Sequence, residues 1–228
     1  MLRTALVALL MLLCSNTSAL AQVSVAIGVP GISIGINGPV YPQLGSIPGY
    51  PVYYAPRLYS NYFFYDGMYW VYQYDNWYAS SWYNGPWDLV SPYAVPLVIL
   101  RIPVRYYRHP PAYFHGWASS APPRWGEHWG NAWERERHGW DGRDRRFAPA
   151  PAPLPKYQRQ YSGSRYPSAN QQQALEARHY RYTPQDPAVR QRYEAQRGRG
   201  RPAAPPPHGK GPAPDHGRGS QPRGHDRD

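Results

Sequence analysis

Thiol chemistry is nearly absent from this chain, whose one cysteine, Cys14, lies in the N-terminal stretch "MLRTALVALLMLLCSNTSALAQ". That stretch carries a single charge at Arg3, an unbroken apolar run from Ala5 to Leu13, and small residues at Ala19 and Ala21. This is the pattern of a secretory signal peptide over residues 1–21, with cleavage before Gln22. With Cys14 removed, the mature chain has no disulfide, zinc-thiolate site or cysteine nucleophile, and packing alone must hold it. Lipidation at Cys14 is the alternative, but Leu13 stands where a lipobox requires a small residue. Long apolar runs are absent as well: the Ala5–Leu13 run falls short of the roughly twenty residues a bilayer-spanning helix needs, so no transmembrane span is expected in the mature protein.

Catalytic motifs are also missing. There is no glycine-rich loop leading into a helix, no G-x-S-x-G elbow and no H-E-x-x-H pair. Paired carboxylates for glycoside hydrolysis would have to come from Asp66, Asp75, Asp88 or Glu127, and the first two already read as turn residues. His109, His115, His128 and His138 follow no ligand spacing, and His208, His216 and His225 with Asp215 and Asp226 offer at most a loose site. The expectation is therefore a non-enzymatic chain with no catalytic residues, no metal site and no cofactor.

Charge of one sign is in excess. The net charge is +11, and arginine supplies nearly all of the positive part. Residues 1–147 hold 11 basic against 8 acidic side chains and residues 148–228 hold 14 against 6, so the C-terminal part carries +8 of the +11.

Aromatic residues are abundant. Six tyrosines and four tryptophans occupy the twenty-three residues "YDGMYWVYQYDNWYASSWYNGPW" from Tyr65 to Trp87. Tyr65, Tyr74 and Tyr83 stand nine residues apart, and each precedes a turn dipeptide: Asp66-Gly67, Asp75-Asn76 and Asn84-Gly85. Such dipeptides accept positive φ and mark two-residue hairpins, so this segment (62–108) is predicted to be an antiparallel meander. The implied register sets Phe64 opposite Tyr69, Tyr69 opposite Trp82, and Trp82 opposite Trp87. Both faces are then aromatic. A soluble monomer rarely exposes a contiguous apolar patch larger than a few hundred Å², so one face must be covered. Phe64, Tyr69, Val71, Trp82, Trp87 and Leu89 are assigned to the covered face, because the aliphatic residues lie there. Trp70, Tyr72, Tyr74, Trp77 and Tyr83 are assigned to a partly open face suited to stacking on sugar rings or extended peptide.

The flanking segments read as follows. Residues 22–40 alternate Val and Ile with Ser, Ala and Gly around Pro30-Gly31, a β-hairpin with one smooth face. Residues 41–61 are punctuated by Pro and Gly and read as an extended connector without a central strand. Residues 98–104 read as an edge strand that places Arg101 and Arg105 on one face as a candidate anion site. Residues 109–147 are rich in Trp and Arg, and Trp125, Trp129 and Trp133 at spacing four predict a short helix over 127–138 that docks on the β domain. Residues 148–228, rich in Pro, Gly and Arg, are expected to be disordered apart from two helical islands. One island opens on the Ser168/Gln171 capping box, the other on Asp186-Pro187 with Gly198 closing it. The fold class is thus mainly β: an aromatic meander with an N-terminal hairpin, a Trp-rich helix and a basic tail.

The segments "GVPGISIGINGPVYP", "YFFYDGMYWVYQYDNWYASSWYNGPW", "PVRYYRHPP" and "PPRWGEHWG" together resemble a group of short exported, signal-peptide or lipoprotein-like envelope proteins of proteobacteria. The likeness covers about residues 1–195. It implies a periplasmic or outer-envelope location and supplies no activity or ligand. In that compartment the expected partners are envelope polysaccharide, anionic lipid or another protein. The Arg197–Arg201 stretch resembles nucleic-acid-binding tails, but export argues against that partner. Self-association through β-strands is the alternative function, and the oligomeric state is left open.

Overall fold

The computed structural model describes residues 40–142 and 150–198. The expected signal peptide, the hairpin over 22–40 (all but its last residue) and the chain beyond 198 lie outside the described residues. The centre of the fold is a six-stranded antiparallel sheet in sequential order: β1 (Gly45–Ser46), β2 (Val52–Tyr54), β3 (Asn61–Tyr65), β4 (Met68–Gln73), β5 (Asn76–Ser80) and β6 (Asp88–Val90). The mainly-β meander is therefore present.

Its punctuation differs from the sequence reading in detail. Asp66 (φ 50°) and Gly67 (φ 87°) form the β3–β4 turn, and Phe64 faces Tyr69, as the dipeptide predicts. The next turn is centred one residue earlier than expected, on Tyr74 (φ 49°) and Asp75 (φ 60°), with Gln73 opposite Asn76. Tyr69 consequently faces Ser80 rather than Trp82. The partner shift is two residues, so side chains keep their faces. Asn76 serves the turn from its flank, donating from Nδ2 to the Tyr74 carbonyl at 2.7 Å. Asn84 and Gly85 do not make a two-residue hairpin, because the connection runs from residue 81 to 87 and Pro86 within it has no ladder donor. Trp82 and Trp87 thus sit in this connection, Trp87 in an isolated bridge, and they are not partners in the sheet register.

Two further expectations are corrected. The 41–61 connector contributes β1 and β2, since the four residues between Pro51 and Pro56 leave room for the three-residue strand Val52–Tyr54, in which Tyr53 pairs with Phe64. The 98–104 strand is absent: Leu97–Leu100 form a short helix, α1, followed by a turn of 3₁₀-helix at Val104–Tyr106. Pro96 accounts for this, because its carbonyl accepts the amides of Ile99 (3.0 Å) and Leu100 (3.2 Å), and a short apolar run has no period that separates strand from helix. The tryptophan helix, α2 (Trp125–Glu136), forms and docks as expected, broken at Gly130 (φ 85°).

The sheet is covered on both sides. One face carries Phe63, Tyr65, Met68, Trp70, Tyr72 and Trp77, packed under residues 95–140, chiefly Ile99, Leu100, Ile102, Tyr107, Phe114, Trp125 and Trp133, together with Val189 and Tyr193 from the C-terminal segment. The other face carries Tyr62, Phe64, Tyr69 and Val71, packed with Tyr83 and Trp87 under Tyr41, Ala55, Ala152, Leu154, Tyr166 and Tyr182. The second cover comes in large part from the segment read as a disordered tail. Residues 150–198 include α3 (Ala169–His179) and α4 (Pro187–Gly198), which begin where the capping signals place them: the Ser168 amide donates to Gln171 Oε1 at 2.9 Å, and the Ala188 amide to Asp186 Oδ1 at 2.9 Å. Composition fails here for a physical reason. The segment has too few aliphatic residues to fold alone, but it inserts tyrosines against a preformed aromatic sheet, with Trp82 ringed by Tyr157, Tyr161 and Tyr166 at centroid distances of 5.6–5.9 Å.

Candidate functional site

The open aromatic face does not exist. Trp70, Tyr72, Trp77 and Tyr83 are buried, and Tyr83 lies on the opposite side with Trp87. Of the residues assigned to the covered face, Phe64, Tyr69, Val71, Trp82 and Trp87 are buried, while Leu89 on the edge strand β6 is 42% exposed. Arg101 and Arg105 do not share a strand face. Arg101 caps backbone carbonyls, donating from Nε to Trp140 O and from Nη2 to Gly139 O at 3.1 Å, whereas Arg105 lies over the Tyr106 ring at 5.1 Å. No group of three or more His, Cys, Asp or Glu side chains suited to a metal occurs among the described residues, and the tail histidines lie outside them.

Of the five predicted aromatics, Tyr74 alone reaches solvent, and it opens onto a cleft. Exposed large side chains are few among the described residues, yet two of them, Tyr59 and Tyr74, each 82% exposed, line one cleft of about 330 Å³. The other lining residues are Ser60, Asn61, Tyr72, Gln73, Asp75, His109 and Pro111. Three pieces of chain meet here: the entry to β3, the β4–β5 turn and the 109–111 loop. Asn61 fastens the loop to the sheet, donating from Nδ2 to Tyr72 O (3.1 Å) and His109 O (2.9 Å) and accepting the His109 amide at 2.9 Å. The His109 ring rests against Tyr59 with centroids 4.6 Å apart.

Asp75 is the carboxylate of the cleft, and its Oδ1 takes three donors: Tyr72 OH at 2.5 Å, Tyr113 OH at 2.9 Å and His128 Nε2 at 2.6 Å. The Tyr113 and His128 rings stack at 4.1 Å, which holds both donors in place. Desolvation pushes the Asp75 carboxyl up, but the hydrogen bonds from Tyr72, His128 and Tyr113 and the His128 charge outweigh it and hold the carboxyl below its ordinary value. Burial, with the bonds to Asp75 and Tyr113, drives the Tyr72 hydroxyl far above the ordinary tyrosine range. Asp75 is therefore a fixed anion at neutral pH and Tyr72 a fixed neutral donor.

Two unpartnered polar atoms complete the cleft. Ser60 Oγ and Gln73 Oε1 are buried and have no hydrogen-bond partner among the described residues. Sequence reasoning missed Tyr59, Ser60, His109, Tyr113 and His128. A Tyr-Ser pair ahead of a strand carries no signal, and the place where the 109–128 segment docks cannot be read from periodicity. Compared with protein-family models, curated proteins and solved structures, the chain matches none.

Proposed function

We propose that this chain is an exported, non-enzymatic protein of the bacterial cell envelope that binds a glycan through the Tyr59–Tyr74 cleft. The observation that carries the reading is the pair of solvent-facing tyrosines, each 82% exposed, lining a cleft with buried, unpartnered polar atoms. Sugars present alternating apolar ring faces and hydroxyls, and flat rings beside unsatisfied polar groups complement both. A non-catalytic role is supported by the single carboxyl group in the lining, which is held ionised and so is a poor general acid, whereas glycoside hydrolysis needs two carboxyl groups of contrasting protonation. The excess of arginine in residues 148–228 supports electrostatic retention near anionic envelope polymers.

Retention on insoluble glycans tests the reading. The purified mature chain should bind peptidoglycan, chitin or cellulose, and Tyr59→Ala and Tyr74→Ala should each weaken retention by about fivefold to tenfold, the scale of one stacking contact. Both side chains are exposed, so the variants should unfold with the wild type. Undiminished retention of the double variant would remove the cleft from the mechanism. Export is tested separately by the intact mass of the secreted species, which should begin at Gln22. The alternative of self-association through strands is less well supported among the described residues, where the sheet edges β1 and β6 are two and three residues long.

A further inference from the structure

Resting on the glycan reading, we infer that the cleft selects sugars bearing a free, protonated amino group: a partly de-N-acetylated chain in preference to its acetylated or neutral counterpart. Asp75 supplies the charge that such a ligand would meet. All three of its side-chain donors converge on Oδ1, and no hydrogen bond reaches Oδ2 among the described residues. The side chain is 54% exposed, so a positioned carboxylate oxygen faces the cleft with nothing to accept from. The Gln73 amide oxygen, buried behind this wall, is a further acceptor without a donor, and the Ser60 hydroxyl beside it is unpartnered as well. A carboxylate oxygen with accepting capacity left over calls for a donor-rich ligand, and an ammonium group brings three donors and no acceptor.

Charge points the same way. The lining includes one aspartate and no lysine or arginine. The excess positive charge elsewhere on the chain acts through solvent and is screened beyond about 8–10 Å at physiological salt, whereas a contact inside the cleft is not. Exposed tyrosine faces add a favourable cation–π term that an acetamido group cannot match. An acetamido group offers the carboxylate one neutral N–H donor, where an ammonium offers three donors and a full charge.

The test compares a fully deacetylated glucosamine hexamer with its fully N-acetylated form, titrated into the purified mature protein at physiological salt and at a pH where the amines are protonated. The deacetylated hexamer should bind about tenfold tighter or more, the scale of one hydrogen bond to a charged group. Non-specific capture of a polycation is opposed by the net charge of +11, so this preference reports the cleft. Asp75→Asn should bring the two affinities together. Asparagine accepts the positive φ of this turn and keeps an oxygen for Tyr72, Tyr113 and His128, while presenting a donor where Oδ2 stood. The wild-type comparison stands even if that variant fails to fold. Equal affinity for the two hexamers, or preference for the acetylated one, overturns the inference and leaves the glycan reading intact. Binding that is undiminished in Tyr59→Ala/Tyr74→Ala, or absent for every glycan tried, overturns both.

Discussion

Gln158 Oε1 accepts the Tyr69 hydroxyl at 3.1 Å on the sheet face that carries Tyr62, Phe64 and Val71. The same oxygen accepts the Tyr83 amide at 3.1 Å, and Nε2 donates to the Ser81 carbonyl at 2.9 Å. One fully buried amide from the C-terminal segment thus ties the central strand β4 to the 81–87 connection. Replacing Gln158 by leucine keeps the volume but strands the Tyr83 amide and the Ser81 carbonyl away from water and leaves the Tyr69 hydroxyl only its 3.4 Å bond to Tyr41 OH. Each stranded group costs about 1–3 kcal/mol, so a loss of roughly 3 kcal/mol or more is expected in urea unfolding. A loss below about 0.5 kcal/mol, the ordinary range of surface substitutions, would mean that residues 150–198 do not hold the sheet.

The β3–β4 turn has a second duty as a clamp. Asp66 accepts Tyr182 OH (2.6 Å) and the Gln185 amide (3.0 Å) on Oδ1, and the Asp186 amide (2.7 Å) on Oδ2. Asp66→Asn preserves the turn, since asparagine tolerates positive φ equally, yet places an NH₂ group against the Asp186 amide. The expected result is faster amide exchange confined to the start of α4, with the meander unchanged. Gly67→Ala is the harsher change: φ is 87° and a Cβ would lie 3.0 Å from the Tyr182 ring, so both turn and clamp should suffer, by about 1–2 kcal/mol for the backbone alone.

Trp77 separates the open-face expectation from the observed fold. It is buried between Phe63, Tyr72 and Trp125 at centroid distances of 4.9–6.4 Å. Trp77→Ala should therefore cost about 3–5 kcal/mol, as Trp82→Ala should. Near-wild-type stability of Trp77→Ala by thermal melting would reinstate an open sheet face.

How far the sequence could be read follows from these cases. Asp66-Gly67 is legible because a two-residue turn needs positive φ and that dipeptide supplies it. Tyr74-Asp75 is not, because a tyrosine at φ 49° is disfavoured locally and persists where Tyr72, Tyr113 and His128 hold Asp75 from the other side. The helix caps at Ser168 and Asp186 are local chemistry and are read correctly, whereas the docking of those helices depends on partners more than 75 residues away, such as Gln172 with Gly85 and Gln196 with Ala79. Of the site, Tyr74 was named for its place on a strand and matters for its place in a turn. The rest of the cleft is assembled by tertiary contacts that leave no periodic trace.

Glu176 gives the pH test of the C-terminal cover. It is a buried carboxyl on α3 whose Oε1 has no hydrogen-bond partner among the described residues. Desolvation raises its pKa, and the opposing hydrogen bonds with Tyr193 and Ser81 and the Arg197 charge do not restore it. A carboxyl with a raised folded-state pKa stabilises the fold fully below its ordinary value of 4.5, and that contribution is lost as pH rises through the higher folded value. At neutral pH the ionised side chain is thus a burden on the fold, and Glu176→Gln should raise the denaturation midpoint there. The advantage should shrink as pH falls toward 4.5, where the wild-type group takes up its proton. Midpoints of both proteins across this range decide it. A glutamine variant less stable than wild type at neutral pH would show that the ionised pairing with Arg197 outweighs the loss of water.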